Sequence, residues 1–221
     1  MTRTGAVPRL TRHTDEPLLE IHPDDAAARG LVDGALCTVT SAQGSARLRA
    51  RVGSTVRAGE VCAAMHWTRT QAPQSCVNVL VNAAVDPHSG QPEFKHTPVE
   101  VAPWPVAIEA VLLVRTLAAL PAADYVVRVE DAGHTCIRLA QQTSASANSN
   151  TPARWLQEQL AVALGKREAV QWLLREDCAG GRVAVAALVD GRLAGFAAAS
   201  SGGAFAGLPA EPSAVPVAGS T

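Results

Sequence analysis

Lysine is rare in this chain of 221 residues, and the net charge of the chain is not positive. Lys95 and Lys166 are its only lysines. The 19 lysines and arginines are outnumbered by 20 aspartates and glutamates, which gives a formal net charge of −1. Nonspecific binding to a nucleic acid backbone requires a basic field. The composition therefore excludes that class of function and favours small-molecule or protein partners.

Long apolar runs are also missing. The first ten residues, MTRTGAVPRL, contain no apolar segment of the kind found in secretory signals. The nearest approach to a membrane span, from Val106 to Leu120, is interrupted by Glu109 and Arg115. A transmembrane helix needs about 20 predominantly apolar residues. These absences predict a cytoplasmic protein that does not associate with membranes.

No CxxC motif occurs among the five cysteines, which are Cys37, Cys62, Cys76, Cys136 and Cys178. The chain alone is therefore not expected to hold a zinc ribbon or an iron–sulfur cluster. The histidines show no metal-ligand spacing either, so we expect no protein metal ligand. In a cytoplasmic protein the five thiols are expected to be reduced and mostly buried.

Composition divides the chain into three parts. Residues 1–103 alternate short apolar runs with turns rich in Gly, Asp, Asn and Pro, whereas residues 104–200 mix strand-like and helix-like patterns. Residues 201–221 are small, proline-rich and almost uncharged, so they cannot bury enough surface to offset chain entropy. We predict one domain in each of the first two parts and a disordered tail in the third.

The first part is predicted to be a closed barrel with one short helix. Pro23 suits the first helical position and Gly30 suits the helix stop. Asp33-Gly34 and Ala42-Gln43-Gly44 are turn signals. Many short strands separated by turns favour a barrel over an open sheet. The predicted strands cover residues 18–21, 36–40, 45–52 and 61–65.

The second part is predicted to combine hairpins and helices. Thr151-Pro152 is a helix start, and an apolar stripe continues to Leu164. Asp190-Gly191 is a strong hairpin turn. A second helix is predicted over Arg167 to Leu174, and the polar run from Gln141 to Asn150 is predicted to be a flexible connector. The predicted strands are residues 106–114, 125–129, 135–139, 183–189 and 193–199.

Several motifs of the first hundred residues occur in an order that resembles a known family. HPDDAAARGLVDGALCTVTSAQGSARLRARV, residues 22–52, resembles the molybdopterin-dinucleotide-binding domain of molybdenum oxidoreductases. The later motifs are most similar to the assimilatory nitrate reductase branch. They are Gly59-Glu60-Val61, Met65-His66-Trp67, Asn78-Val79-Leu80-Val81-Asn82, Asp86-Pro87 and Ser89 to Lys95.

The resemblance implies a mainly β or α+β fold. The implied fold over residues 1–103 is a double-psi β-barrel of the aspartate decarboxylase-like kind. A small α+β extension is implied for residues 104–200. The implied cofactor is molybdopterin guanine dinucleotide, with molybdenum carried by the dithiolene sulfurs of the cofactor rather than by a side chain.

The resemblance also implies which residues contact the cofactor. Hydroxyls, a cation and backbone N–H groups suit a pyrophosphate, whereas amide side chains suit the edges of pterin rings. Plainer roles for these residues are a solvated terminus, a capped turn, a surface lysine and a buried tryptophan. The candidates are Thr2, Arg3, Thr4 and Gly5 for the pyrophosphate, Asn78 and Asn82 for the pterin, and Phe94, Lys95, His66 and Trp67 nearby.

The resemblance places molybdenum-ligating and iron–sulfur domains outside these 221 residues. We therefore expect those catalytic domains to be partners, on a separate chain or a longer one, and assign no catalytic residue here. One alternative is a non-catalytic binding module or gene fragment. Another is an aspartate decarboxylase-like enzyme that forms a pyruvoyl group by cleaving a Gly-Ser bond, for which Gly44-Ser45 is a candidate.

Overall fold

The computed structural model describes residues 14–131, 133–142, 151–165, 170–177 and 179–201. Most of the predicted connector and residues 202–221 of the predicted tail lie outside these residues. Ser201 is predicted to begin the disordered tail, but it belongs to a strand. The connector is predicted to begin at Gln141, but this residue and Gln142 belong to a strand. The described elements form two sheets and two α-helices.

The first sheet is mixed and has five strands. They are β1 (Leu18–Ile21), β2 (Leu36–Thr40), β3 (Ser45–Val52), β4 (Val61–Ala63) and β5 (Glu100–Pro103). The order is β4-β1-β3-β2-β5, in which β1 and β3 are parallel and the other neighbours antiparallel. Every predicted strand of this part is confirmed, although β4 ends at Ala63 rather than Met65.

Helix α1 (Pro23–Ala28) links β1 to β2 and is limited by its own sequence signals. The His22 Nδ1 atom accepts a hydrogen bond from the Asp24 N–H at 3.3 Å, which caps the first turn. At the other end Gly30 takes the left-handed conformation, with φ of 66°, as predicted for the helix stop.

The second sheet is antiparallel and has six strands. They are β6 (Val106–Val114), β7 (Tyr125–Asp131), β8 (His134–Gln142), β9 (Gln171–Asp177), β10 (Arg182–Val189) and β11 (Arg192–Ser201). Their order is β7-β8-β6-β11-β10-β9. The predicted hairpin at Asp190-Gly191 is confirmed, and both residues have the positive φ that such a tight turn requires.

Helix α2 (Pro152–Leu164) packs on one face of the second sheet, as its apolar stripe predicts. Thr151 Oγ1 accepts a hydrogen bond from the Arg154 N–H at 3.4 Å and caps the start. Leu156 and Leu160 are fully buried in the core. A Cβ atom at Gly195 on β11 would meet Leu160 at 3.0 Å, so a glycine there lets the helix approach closely.

The predicted helix from Arg167 to Leu174 is wrong over its described part. Residues from Gln171 onward form strand β9, which pairs with β10 without a register shift. The apolar run Trp172-Leu173-Leu174 is too short for periodicity to distinguish a strand from a helix. Pairing with β10 decides the outcome, and that contact is not visible in local sequence.

The mainly β prediction is confirmed, and the mixed first sheet is consistent with a barrel-like arrangement. Sheet membership changes between Pro103 and Val106, while the domain boundary at 103/104 stays a prediction. A shared cluster joins the two sheets. It contains Leu36, Trp67, Ala72, Trp104, Tyr125, Val127 and Ala140.

The described part of the chain contains neither a candidate membrane-spanning helix nor a candidate metal site. No helix there is long and apolar enough to cross a membrane. No group of three or more His, Cys, Asp or Glu side chains there could hold a metal ion.

Candidate cofactor-binding site

The predicted cofactor contacts within the described residues all lie between β4 and β5. We refer to residues 64–99 as the β4–β5 segment. It contains one regular element, a 3-10 helix at Val77–Leu80, and otherwise consists of turns and bends. Thr2, Arg3, Thr4 and Gly5, the predicted pyrophosphate contacts, lie outside the described residues.

The 3-10 helix is held against the first sheet and presents Asn78 to solvent. Leu80 is buried, and Val77 and Val79 pack on the same core. Gly44, in the turn between β2 and β3, lies directly beneath, since a Cβ atom there would be 3.0 Å from the Val79 carbonyl oxygen. The sheet therefore fixes the position of Asn78.

Asn82 is half-buried and follows the 3-10 helix. The helix ends at Leu80, and Val81 is extended with φ of −72° and ψ of 137°. The two asparagines therefore do not share a helix face. Within the described residues neither Asn78 nor Asn82 makes a side-chain hydrogen bond, so their amides are available to a ligand.

A compact turn follows, and its geometry is fixed by Asp86. The Asp86 carboxylate accepts hydrogen bonds from the Ser89 N–H at 2.7 Å, the Ser89 hydroxyl at 2.9 Å and the His88 N–H at 3.1 Å. These bonds, those from Ser89 first, lower the pKa of Asp86 below its ordinary value. A bridge between Val85 and Pro92 closes the turn.

Phe94 and Lys95 come directly after this turn, and both are exposed. Phe94 leaves 41% of its surface accessible. Its neighbours Glu93 and His96 contact each other at 2.6 Å. Within the described residues Lys95 has no ion-pair partner. A cation and an aromatic face are thus adjacent in sequence and open to a ligand.

His66 and Trp67 have different surroundings although they are neighbours. His66 is exposed, whereas Trp67 is only 9% exposed and belongs to the cluster between the sheets. Packing therefore occupies most of the Trp67 ring, the plainer of the two roles weighed from sequence. A direct cofactor contact by either residue stays a prediction.

Trp67 begins a stretch that fastens the β4–β5 segment to the second sheet. The Gln71 carbonyl oxygen accepts a hydrogen bond from the Arg128 N–H at 2.7 Å. The Gln74 side chain accepts one from the Val126 N–H at 3.2 Å. Strand β7 therefore positions the start of the segment that carries the candidate site.

A buried polar network, which sequence patterns did not predict, connects the two sheets. Glu16 is 4% exposed and precedes β1. Its carboxylate accepts a hydrogen bond from Tyr125 Oη at 2.7 Å and one from Arg49 Nε at 2.7 Å. Arg49 also contacts Glu109 at 3.4 Å, and Arg138 lies 3.9 Å from Glu16.

The network shifts the pKa values of its members. Burial would lower the pKa of Arg49, but the charge and hydrogen bond of Glu16, with Glu109, raise it above its ordinary value. Burial raises the pKa of Tyr125 well above its ordinary value, and the charge of Glu16 adds to the shift. The guanidinium therefore stays charged and the phenol stays neutral.

One sequence feature pointed toward this network. Glu109 interrupts the apolar strand β6 and is 5% exposed. A buried carboxylate requires a partner, so its position in an apolar strand was a signal. The identity of that partner, Arg49, could not be read from sequence because 60 residues separate the two.

The side chains available to a ligand fit the chemistry of a pterin dinucleotide. The amides of Asn78 and Asn82 each offer donors and an acceptor, which the polar edges of a pterin require. Lys95 offers a cation for a phosphate, and Phe94 offers an apolar face. The three polar side chains are without partners in the described structure, so binding a ligand would not first break existing contacts.

Comparison with known proteins supports the same assignment for this part of the chain. Residues 1–98 match the family described as molydopterin dinucleotide binding domain. This range contains every candidate contact, from Thr2 to Lys95. The expected cofactor, molybdopterin guanine dinucleotide with its molybdenum, is supported by this family.

Three curated proteins illustrate the similarity. The nitrate reductase of Klebsiella oxytoca is 44% identical over 122 residues, 55% of this chain and 14% of that protein. The assimilatory nitrate reductase catalytic subunit of Bacillus subtilis is 33% identical over 88 residues, 40% of this chain and 12% of that protein. The periplasmic nitrate reductase of Desulfovibrio desulfuricans is 33% identical over 94 residues, 42% of this chain and 12% of that protein.

These matches define how far the similarity extends. The chain spans about one seventh of the length of the Klebsiella protein. The 122 aligned residues exceed the 98 that match the family, so the similarity to that protein continues beyond residue 98. Residues 1–98 are thus similar to a molydopterin dinucleotide binding domain, and 122 residues of the chain are similar to a nitrate reductase.

Proposed function

We propose that the chain holds the pterin guanine dinucleotide of a molybdenum-dependent oxidoreductase that reduces nitrate. The main observation in support of this proposal is the exposed Asn78 amide. It lies on a 3-10 helix that packs on the first sheet, inside the range that matches the family. Asn82 and Lys95 extend the same segment with further groups that can bind a ligand. When bound, the cofactor supplies the molybdenum and its redox chemistry.

In this proposal the residues of the chain bind and orient the cofactor and do not react with nitrate. Asn78 and Asn82 exchange hydrogen bonds with the pterin edge, and Lys95 neutralises a phosphate. The compact turn closed by Asp86 precedes Phe94 and Lys95 and limits their freedom before binding. Preorganisation of this kind lowers the entropic cost of binding.

We further propose that catalytic domains carrying the molybdenum ligand and the iron–sulfur cluster complete the enzyme. They lie on a separate chain or on the same longer polypeptide. The nitrate reductases similar to this chain are much longer than the aligned part, which supports such partners. The assimilatory relative and the free cysteines Cys37, Cys62, Cys76 and Cys136 support an assimilatory role in the cytoplasm.

Reconstitution tests the proposal. The chain would be produced together with the molybdenum- and iron–sulfur-binding part of a nitrate reductase that lacks its own dinucleotide-binding domain. Oxidation of a reduced viologen dye would then be followed with and without nitrate. We expect nitrate-dependent oxidation only when both parts are present. No oxidation, in a complex shown to contain cofactor, would refute the nitrate reductase assignment.

A charge reversal tests the proposed role of Lys95. We expect Lys95→Glu to reduce cofactor content by about tenfold or more, because a like charge would face a phosphate. The melting temperature should change little, since the side chain is exposed. Arg192→Glu is the matched control, because it makes the same exposed charge change on the second sheet. A large loss of stability in Lys95→Glu would make the lysine structural instead.

A further inference from the structure

The edges of the two sheets are protected to different degrees. Strand β4 has only three residues, and β5 ends in a proline. On β7, the Val126 and Arg128 N–H groups donate to Gln74 and Gln71 of the β4–β5 segment. Short length, proline and a covering loop are the usual ways in which proteins prevent edge strands from pairing with another chain.

Strand β9 has none of these protections within the described part of the chain. It is seven residues long, contains no proline or lysine, and pairs with β10 in continuous register. Its other edge has no strand partner among the described residues. Leu173 and Leu174, on opposite faces, remain 53% and 50% exposed. An exposed edge strand with an apolar run of three residues, Trp172 to Leu174, is suited to pairing with a further strand.

The apolar surface at this edge continues across the sheet. On the face away from α2, the register aligns Phe196, Ala186 and Leu173 in one cross-strand row. Phe196 is 37% exposed, so this row is apolar and accessible up to the edge. On the other face Leu174 lies beside Val185, which is buried in the core under α2. A partner strand would therefore cover apolar groups on both faces.

We propose that β9 pairs with β9 of a second copy of this chain, in antiparallel orientation about a two-fold axis at Leu173. The result is one continuous sheet across the dimer. A two-fold axis perpendicular to the sheet keeps each residue on its own face. Only pairs whose two residue numbers are both odd or both even can therefore lie opposite each other.

Side-chain complementarity selects the register. With the axis at Leu173, the two Leu173 side chains meet, and each Trp172 lies opposite Leu174 of the second copy. Each Arg175 then lies opposite Gln171, whose amide oxygen accepts hydrogen bonds from a guanidinium. Moving the axis to Arg175 would oppose like charges, which destabilises a strand pair. Residues 171–175 of β9 are thus complementary to the same residues of a second copy, which favours a second copy over an unrelated partner.

Sedimentation of the full chain tests the dimer. We expect a mass near twice 22.9 kDa at high micromolar concentration. Leu173→Lys should shift the chain to the monomer by placing two cations opposite each other, with an unchanged circular dichroism spectrum. Leu174→Lys is a second disruptive variant on the opposite face. A monomeric wild-type chain, or a dimer that both variants retain, would overturn the proposal.

Cysteine cross-linking tests the register in a background in which exposed Cys62 and Cys178, the residue that follows β9 in the sequence, are replaced by serine. Opposed residues of an antiparallel pair have Cβ atoms about 5 Å apart. Leu173→Cys should therefore form a reducible dimer under mild oxidation. Arg175→Cys is the matched control, because two copies of this residue would lie roughly 13 Å apart along the strand. Equal cross-linking of both variants would overturn the assigned axis.

Discussion

Tyr125 and Glu16 form a buried hydrogen bond of 2.7 Å across 109 residues of sequence. Tyr125 begins β7 in the second sheet, whereas Glu16 precedes the first. The second carboxylate oxygen of Glu16 is held by Arg49 of β3, also at 2.7 Å. One carboxylate thus joins both sheets, and two substitutions test how strongly it does so.

Loss of the Tyr125 hydroxyl and loss of the Arg49 guanidinium should lower the free energy of unfolding by different amounts. Tyr125→Phe removes one hydrogen bond to a buried carboxylate and should lower the free energy of unfolding by about 1–3 kcal/mol. Arg49→Met removes the cation that contacts both Glu16 and Glu109 and should cost about 3–5 kcal/mol. Urea unfolding followed by tryptophan fluorescence measures both values.

Arg51→Met is the control for this pair of variants. Arg51 is on the same strand as Arg49, but its side chain is 56% exposed and lies 3.8 Å from Glu20. An exposed pair of this kind contributes less than about 1 kcal/mol. Equal losses from Arg49→Met and Arg51→Met would contradict a central role for the buried network.

Alkaline pH should destabilise the protein through Cys37. This thiol is buried on β2 and donates to the Leu48 carbonyl oxygen at 3.3 Å. Burial raises its pKa from 9.0 to about 12. The unfolded chain therefore loses its proton first, so stability is fully present below pH 9 and falls as the pH rises from about 9 to 12.

The expected loss attributable to Cys37 approaches about 4 kcal/mol at the top of this range. Tyr125, whose pKa is also raised by burial, adds a further loss above pH 10. Urea unfolding at several pH values would show a shallower decline in Cys37→Ala than in the wild-type chain. Parallel curves for the two proteins would show that Cys37 does not cause the decline.

Thiol reagents should distinguish Cys62 from Cys37. Cys62 is exposed on edge strand β4, whereas Cys37 is buried and its thiol resists ionisation. Because the thiolate is the reactive species, we expect Cys62 to be modified rapidly and Cys37 only as fast as the chain unfolds. Mass spectrometry of peptides from partly labelled protein measures both rates. Rapid labelling of Cys37 in folded protein would contradict the described core.

Gly44 should influence the candidate site without contacting the cofactor itself. A Cβ atom there would lie 3.0 Å from the Val79 carbonyl oxygen, so Gly44→Ala should displace the 3-10 helix that carries Asn78. We expect lower cofactor content by about fivefold with a loss of about 1–2 kcal/mol in stability. The amount of nucleotide released from the purified protein measures the cofactor content.

Gly53→Ala provides the comparison for this variant. A Cβ atom at position 53 would meet nothing within 4 Å, and Gly53 does not have a positive φ that would require a glycine. The variant should therefore retain the cofactor content of the wild-type chain. A reduced content in Gly53→Ala would indicate a general effect on folding rather than displacement of the 3-10 helix.

Local sequence signals predicted most regular elements of the fold. Thr151-Pro152 and the apolar stripe up to Leu164 gave α2 its observed limits, and Asp190-Gly191 gave the last hairpin. These signals act within a few residues of the structure that they determine. Strand β9 was missed because its conformation depends on β10 rather than on its own periodicity.

The candidate site was predictable only in part. Family motifs selected Asn78, Asn82 and Lys95, which are available to a ligand in the described structure. Burial of Trp67 between the sheets was weighed as the plainer role, but sequence could not decide it. The network around Glu16 was missed because its members lie far apart in the chain and show no periodic pattern.

Nucleotide and metal content tests the central claim most directly. The chain would be produced in a host that makes the guanine dinucleotide cofactor, alone and with the catalytic part of a nitrate reductase. Acid hydrolysis and chromatography would give GMP per protein, and elemental analysis would give molybdenum. We predict up to about one GMP and up to about one molybdenum per chain in the joint sample. Asn78→Ala should lower the content of both. Absence of GMP and molybdenum from both samples would contradict a cofactor-holding function.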